Sequence, residues 1–350
     1  MNQRAIGRLA GQHPFLVGTF LAVISAVAYT AANIYLRKVA VDCDPVWVTA
    51  GKVVPVCLAA WLVTAARWRR GEPVLARGRA LAALVATGLF VQLAGNVAFQ
   101  WSLGQVGLAL AVPLAAGTVI VAGALLGRVW LGEAITATAA VAMLLLVLAI
   151  VVLSLGANDA HRSIVGTAAA APIALLIAGV GAACLSGAAY ATSGAVIRRV
   201  VRTLPVSAPL TVISSTGVVV LGGWALVGSG TQAAAEIAPA QWGDILIAGL
   251  FNAAAFFALG ESLRLIPVVH VNAIEASQTA MAAGAGVLLF GEAATPALLW
   301  GAGLTVLGLL LMQKAQARRL VGRVAARLRD AGPRELAGER RATPEPPREG

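Results

Sequence analysis

The sequence predicts an all-α integral membrane protein, ten transmembrane helices arranged as two inverted five-helix repeats, and three observations predict it. Hydrophobic residues fill 59% of 350 positions and charged residues 12%, with a mean hydropathy of +0.85. A soluble domain carries about 25% charge. Continuous apolar runs of about 20 residues, the length a helix needs to cross a bilayer, recur between short polar stretches. The chain also repeats itself after about 160 residues. Gly88-Leu89-Phe90 returns as Gly249-Leu250-Phe251, Ser102-Leu103 as Ser262-Leu263, and Gly132-Glu133-Ala134 as Gly291-Glu292-Ala293. Continuous rather than alternating runs argue against a β-barrel.

Taken in order, the predicted spans are 15–35, 46–66, 81–100, 106–127, 134–155, 170–192, 207–228, 243–260, 267–289 and 294–312. They divide the chain into a cytoplasmic N-terminus (1–14), a first five-helix repeat (15–155), a second (170–312) and a basic tail (313–350). The basic start followed by an apolar run imitates a signal peptide, but no small-residue cleavage site follows, so the run is taken as the first span. With the N-terminus inside, 22 of the 26 Lys and Arg residues fall on that side. Arg37, Lys38 and Arg162 fall outside, and Lys52 lies within a span. Positive charge prefers the cytoplasmic face, so both termini are expected there, in a multi-pass protein of the cell membrane. Five spans per half is an odd number, so the second half enters the membrane inverted. That architecture supplies two related arrangements of one bundle, the basis of alternating access in many carriers.

The net charge of +11 does not call for nucleic acid, because its placement follows membrane topology. The external stretches, Arg37 to Pro45, Trp101 to Gln105, Gly156 to Ala169, Ser229 to Trp242 and Glu292, are too short for a soluble catalytic domain. No enzyme is expected. Lys314 to Arg329 interleaves arginines with Leu320, Val324 and Leu328, a pattern for a basic amphipathic helix on anionic lipid, and the stretch beyond Asp330 reads as disorder. Pro113 is expected to kink the fourth span, whereas Pro172, Pro209 and Pro267 sit near span starts. Glu133 and Glu292 each precede a helix whose N-terminal dipole favours a carboxylate, so capping is their first expected role. Cys43, Cys57 and Cys184 lack metal-ligand spacing, and His13, His161 and His270 are too few for a metal centre. No glycine-rich phosphate loop and no His-Glu-x-x-His occurs, so neither cofactor nor metal is expected.

The candidate site residues are polar groups inside spans. Lys52 lies about two turns from the outer rim, where it either snorkels or faces a wet cavity able to meet an anionic group. Asn272, Glu275 and Gln278 recur every third position and share a helix face. A carboxylate there binds a cation or exchanges a proton, or else joins a structural hydrogen-bonded network. Gln92, Asn96 and Gln100, four apart, form a second stripe, with Asn252 and Asn33 as further partners. Such stripes also glue helices together. If Lys52 and Glu275 pair, removing one leaves the other charge unsupported.

The two half repeats, the Leu131-Gly132-Glu133 and Phe290-Gly291-Glu292 turns, and the glycine-containing closing spans Ala134 to Leu155 and Ala293 to Met312 resemble the drug/metabolite transporter superfamily, and within it the EamA-like ten-helix permeases. The resemblance covers residues 15 to 312. It implies a secondary transporter of the inner membrane, moving a small metabolite or drug-like molecule by alternating access, with export favoured. The first four helices of each half would line the cavity, which implicates Lys52, Asn96, Gln100, Asn252, Asn272 and Glu275 in substrate binding or coupling. The expected partners are a small-molecule substrate, membrane lipids, a coupling proton or ion, and a second copy in a homodimer. Two alternatives stand beside it: a non-transport scaffold or sensor, and a magnesium or divalent-cation transporter, since Gly95 to Pro113 also resembles the magnesium-transporter-like branch.

Overall fold

A computed structural model of the chain describes residues 13–74, 76–132, 134–166, 171–200, 204–205 and 207–330. Among these residues the chain is helical, without strands. The elements are α1 (Pro14–Lys38), α2 (Pro45–Trp68), α3 (Gly78–Phe90), a π-helical stretch Val91–Val97 that leads into α4 (Ala98–Leu131), α5 (Ala137–Leu155) and the short α6 (Ala157–Val165). There follow α7 (Ile173–Val200), α8 (Ser207–Trp224), a second π-helical stretch Ala225–Ser229, α9 (Gly230–Glu236), α10 (Pro239–Leu265), α11 (Val268–Glu275), α12 (Ser277–Phe290) and α13 (Pro296–Asp330).

Nine helices among the described residues are long and apolar enough to cross a membrane. One of them, Gly78–Trp130, has 53 residues. At 1.5 Å per residue it would be about 80 Å long, against about 30 Å of hydrocarbon. Gly107 divides it: its φ of 77° and ψ of 176° are not helical and separate segments 78–106 and 108–131. The sequence expectation of a loop at Trp101–Gln105 is therefore corrected. The helix runs on through 101–105, the chain turns at one glycine, and Pro113 lies within the helix that follows. A glycine suits that turn because L side chains disfavour positive φ.

Local signals place several helix starts. Asp44 accepts the Val46 and Trp47 N–H groups at 2.9 and 3.0 Å and caps α2. Thr136 caps α5 and Thr295 caps α13, through Ala139 N and Leu298 N. The basic stretch after Met312, expected as an amphipathic helix on anionic lipid, is helical and continues α13 without a break to Asp330. The expected disordered stretch beyond it, the extreme N-terminus and Glu133 lie outside the described residues.

The helix contacts follow the repeat. α4 packs against α7, and its counterpart contact joins α10 to α1; α2 packs against α8, and α5 against α13. Glycines mark equivalent crossings. Gly18 meets Leu265 and Ile266, and Gly179 meets Gln105 and Val106. Gly88 meets Thr216, and Gly249 meets Pro55. Gly18 and Gly179 stand at the spacing that separates Gly88 from Gly249. Small residues at these crossings let backbones approach where no hydrophobic force drives association. Leu16, Leu144, Val219, Leu288 and Trp300 stay exposed, an apolar exterior suited to hydrocarbon.

Candidate functional site

The stretches expected outside meet at one rim. Lys38 pairs with Asp244 at 3.6 Å, Trp47 Nε1 donates to the Gly230 carbonyl, His161 Nδ1 donates to the Gln105 carbonyl, and Ala293 N donates to Ser163 Oγ. Beneath them lies the largest buried apolar cluster, with Leu36, Val39, Cys43, Val48, Leu103 and Leu153 among its members. Against it lies Glu292, 3% exposed. Its carboxylate accepts Arg37 Nε at 2.7 Å, Leu108 N at 2.9 Å and Ala109 N at 2.7 Å. The Arg37 guanidinium also lies over the Phe290 ring, 5.2 Å from its centroid. A Cβ on Gly107 would stand 2.6 Å from the carboxyl carbon, and one on Gly286 2.5 Å from Oε2. Both glycines make room for the carboxylate.

Glu292 was expected to cap the helix that follows it. It caps a different one, the segment that starts after Gly107, while Thr295 serves α13. The physical reason is the left-handed turn at Gly291, with φ 63°, after which Glu292 N bonds back to Gly286 O and the side chain enters the bundle. Arg37, counted as an outer-loop cation, supplies the balancing charge and is 6% exposed.

Deeper in the bundle, Gln92 and Asn96 lie on the π-helical stretch, a feature that often marks functional positions. Tyr190 OH on α7 donates to Asn96 Oδ1 at 3.0 Å, Asn96 Nδ2 to Gln92 Oε1 at 2.8 Å, and Gln92 Nε2 to the Ile213 carbonyl at 3.2 Å. This chain of bonds joins helices of both halves. On α1, Tyr29 lies within electrostatic reach of both Tyr190 and Glu275. The Ser25 hydroxyl neighbours the Glu275 carboxyl. Ser25 Oγ and Glu275 Oε1 are nonetheless both buried without a hydrogen-bond partner. α11 ends at Glu275, and α12 begins after a single turn residue, Ala276. Tyr29, Asn96, Tyr190 and Glu275 each retain some accessible surface.

The structure thus brings together two of the sequence candidates' neighbourhoods, Asn96 and Glu275, through the tyrosines. Gln100 stands apart: fully buried, it donates to the Leu36 carbonyl near the sealed rim, and its Oε1 is unpartnered. Asn252 and Asn272 are half-buried and form no side-chain hydrogen bond among the described residues. Lys52 is 5% exposed on α2, beside the α10 crossing at Gly249. It forms no ion pair with Glu275. Tyr29, Tyr190 and Ser25 were not anticipated from sequence, although Ser25 and Ser186, like Tyr29 and Tyr190, stand at the repeat spacing of Gly18 and Gly179. At the opposite rim a cavity of about 340 Å³ lies between α2, α8 and α10, lined by Val63, Arg67, Ser207, Phe256, Glu261 and Arg264 among others.

Fold and site together define a multi-pass helical membrane protein, with polar groups from both halves gathered between its helices. The model of the EamA-like transporter family matches residues 177–313. Over those residues the chain is similar to that family. It is also similar in fold to a solved structure described only as the crystal structure of a protein, at 18% sequence identity and a TM-score of 0.56, over 87% of this chain and 98% of that one. No curated protein matches the chain.

Proposed function

We propose that this protein is a secondary transporter that moves a small polar or amphipathic metabolite across the inner membrane by alternating access, in the export direction. The reading takes segments 78–106 and 108–131 as two spans, which gives ten, two inverted five-helix repeats and both termini on the cytoplasmic side. The observation that carries it is the contrast between the two rims. One rim is closed by the buried Arg37–Glu292 pair and a tight apolar cluster. The other holds the cavity between α2, α8 and α10. Between them lie Glu275, Ser25 and the tyrosine–amide chain.

Two packings of similar halves, each closing one rim, give a carrier its two states. A carboxylate and hydroxyl left unpartnered inside the bundle are costly unless a ligand or proton satisfies them. Lys52, Asn252 and Asn272 are proposed to border the path without belonging to the hydrogen-bonded chain. The test is counterflow of labelled metabolite pools in proteoliposomes. Uptake that requires internal unlabelled cargo, and that Glu275→Gln abolishes while the protein remains folded, supports the proposal. Absence of counterflow for every pool argues against it.

A further inference from the structure

This inference rests on the transport reading and concerns the chemistry of the cargo. We infer that the cargo presents a protonated amine, held by the Glu275 carboxylate and the Ser25 hydroxyl between α1 and α11.

The argument starts from what the site already satisfies. The hydrogen bonds from Tyr190 to Asn96, Gln92 and Ile213 all run in one direction, each group donating to the next. Tyr190 spends its only hydroxyl proton on Asn96, so its phenol oxygen keeps its lone pairs for an incoming donor. On the other side, Glu275 Oε1 and Ser25 Oγ are buried with no partner in hydrogen-bond geometry; the Ser25 hydroxyl, which neighbours the carboxyl, has one proton to give it, and the remaining lone pairs of both stay open. An ionised carboxylate is an acceptor only. The open positions are therefore rich in acceptors, and no cation among the described residues forms an ion pair with Glu275. Buried acceptors left open in a native fold call for an occupant that donates. An ammonium offers three N–H donors and one positive charge, which answers both deficits.

The repeat sharpens the assignment. The hydroxyl frame is present in both halves, as Ser25 with Tyr29 and Ser186 with Tyr190. Ser186 already donates to the Ala183 carbonyl. At the repeat spacing no acidic residue matches Glu275 in the first half, where Leu114 and Ala115 stand. The carboxylate is thus a one-sided addition to a symmetric frame, and the amides Gln92 and Asn96 are an addition in the first half, where the second half carries Ala253 and Phe257 at the repeat spacing. A cargo with a charged end and a neutral hydrogen-bonding end matches that division.

The test is thermal unfolding of the purified full-length protein with phenethylamine and putrescine, against phenylacetate and succinate as acids of matched size. Preferential binding to the folded state raises its midpoint. The amines are expected to raise it by about 2 °C or more at millimolar concentration, and the acids not at all. Glu275→Gln is expected to remove the amine shift, and Ser25→Ala to weaken apparent amine affinity about tenfold. The unliganded midpoint checks that each variant is folded, and Ser25→Ala keeps the test open should Glu275→Gln fail that check. A larger shift with the acids, an amine shift that survives Glu275→Gln, or a flat response overturns the inference. The transport reading fails on a different result, the absence of counterflow, so the two failures are distinguishable.

Discussion

Glu292 accepts hydrogen bonds from Arg37 at 2.7 Å and from the backbone of Leu108 and Ala109, so that one buried side chain ties α1 and α4 to the turn between α12 and α13. The contact joins the first half of the chain to the second across the sealed rim. A charge-assisted pair with this many donors holds its geometry well, and it is unforgiving of a missing partner.

Removing one partner leaves an uncompensated buried charge. Arg37→Ala and Glu292→Ala are each expected to lower stability by about 3–5 kcal/mol, and the double variant by less than the sum. Denaturation in detergent of the four proteins of the cycle checks this. Additive losses would mean that the pair does not act as a unit.

Gly107→Ala is expected to destabilise for two reasons that compound. The added methyl would enter the Glu292 carboxyl at 2.6 Å, and the positive φ is strained for any L side chain by about 1–2 kcal/mol. Gly123→Ala, where a Cβ meets nothing within 4 Å in ordinary helix, is the matched control and is expected to be neutral or slightly stabilising. Equal midpoints for the two variants would contradict the role given to the turn.

Cys43 reports on the same rim. It is buried, and burial with Asp42 beside it holds the thiol above its ordinary range. The thiolate is the reactive form, so maleimide labelling in a background with Cys57 and Cys184 replaced by Ala is expected to be slow at neutral pH and to rise at higher pH than for a free thiol. A raised folded-state pKa contributes stability that is present below the unfolded value and is lost as pH rises through the folded one. Glu292→Gln should loosen the rim and speed the reaction; an unchanged rate would show that the carboxylate does not hold it shut.

Tyr190→Phe is expected to cost about 1–3 kcal/mol, because Asn96 Oδ1 loses its donor inside the bundle. Tyr29→Phe, whose hydroxyl forms no hydrogen bond among the described residues, should unfold close to the parent while transport falls. Thermal melts and counterflow on the same preparations separate the two effects. A matched loss of stability in both would assign the pair to structure alone.

Much of the fold was legible because lipid imposes one strong rule, that each crossing is a long apolar helix, and the spans drawn from hydropathy fall on the helices. What escaped was local or distant. A junction made of Gly107 alone reads as one more glycine in an apolar run. Glu292 reads as a local cap because its true partners at Leu108 and Ala109 lie 184 and 183 positions away in the chain. Asn96, Glu275 and Gln100 stood out alike as polar groups in apolar surroundings, and the sequence could not show that Gln100 donates to the Leu36 carbonyl. Tyr29 and Tyr190 carried no such signal. Aligning Gly18, Ser25 and Tyr29 with Gly179, Ser186 and Tyr190 would have singled them out, since the repeat preserves the order of small, hydroxyl and aromatic residues along both helices.

The most direct test of the account is side-specific labelling of Asn272→Cys and Gln278→Cys, with Cys43, Cys57 and Cys184 replaced by Ala, in right-side-out and inside-out vesicles. The account predicts that these positions react from the Arg67–Arg264 side in the resting protein, and that Glu292→Gln or an imposed cargo gradient shifts reaction toward the Arg37–Glu292 side. Reaction from one side only, unchanged by the variant and by every gradient, would contradict alternating access.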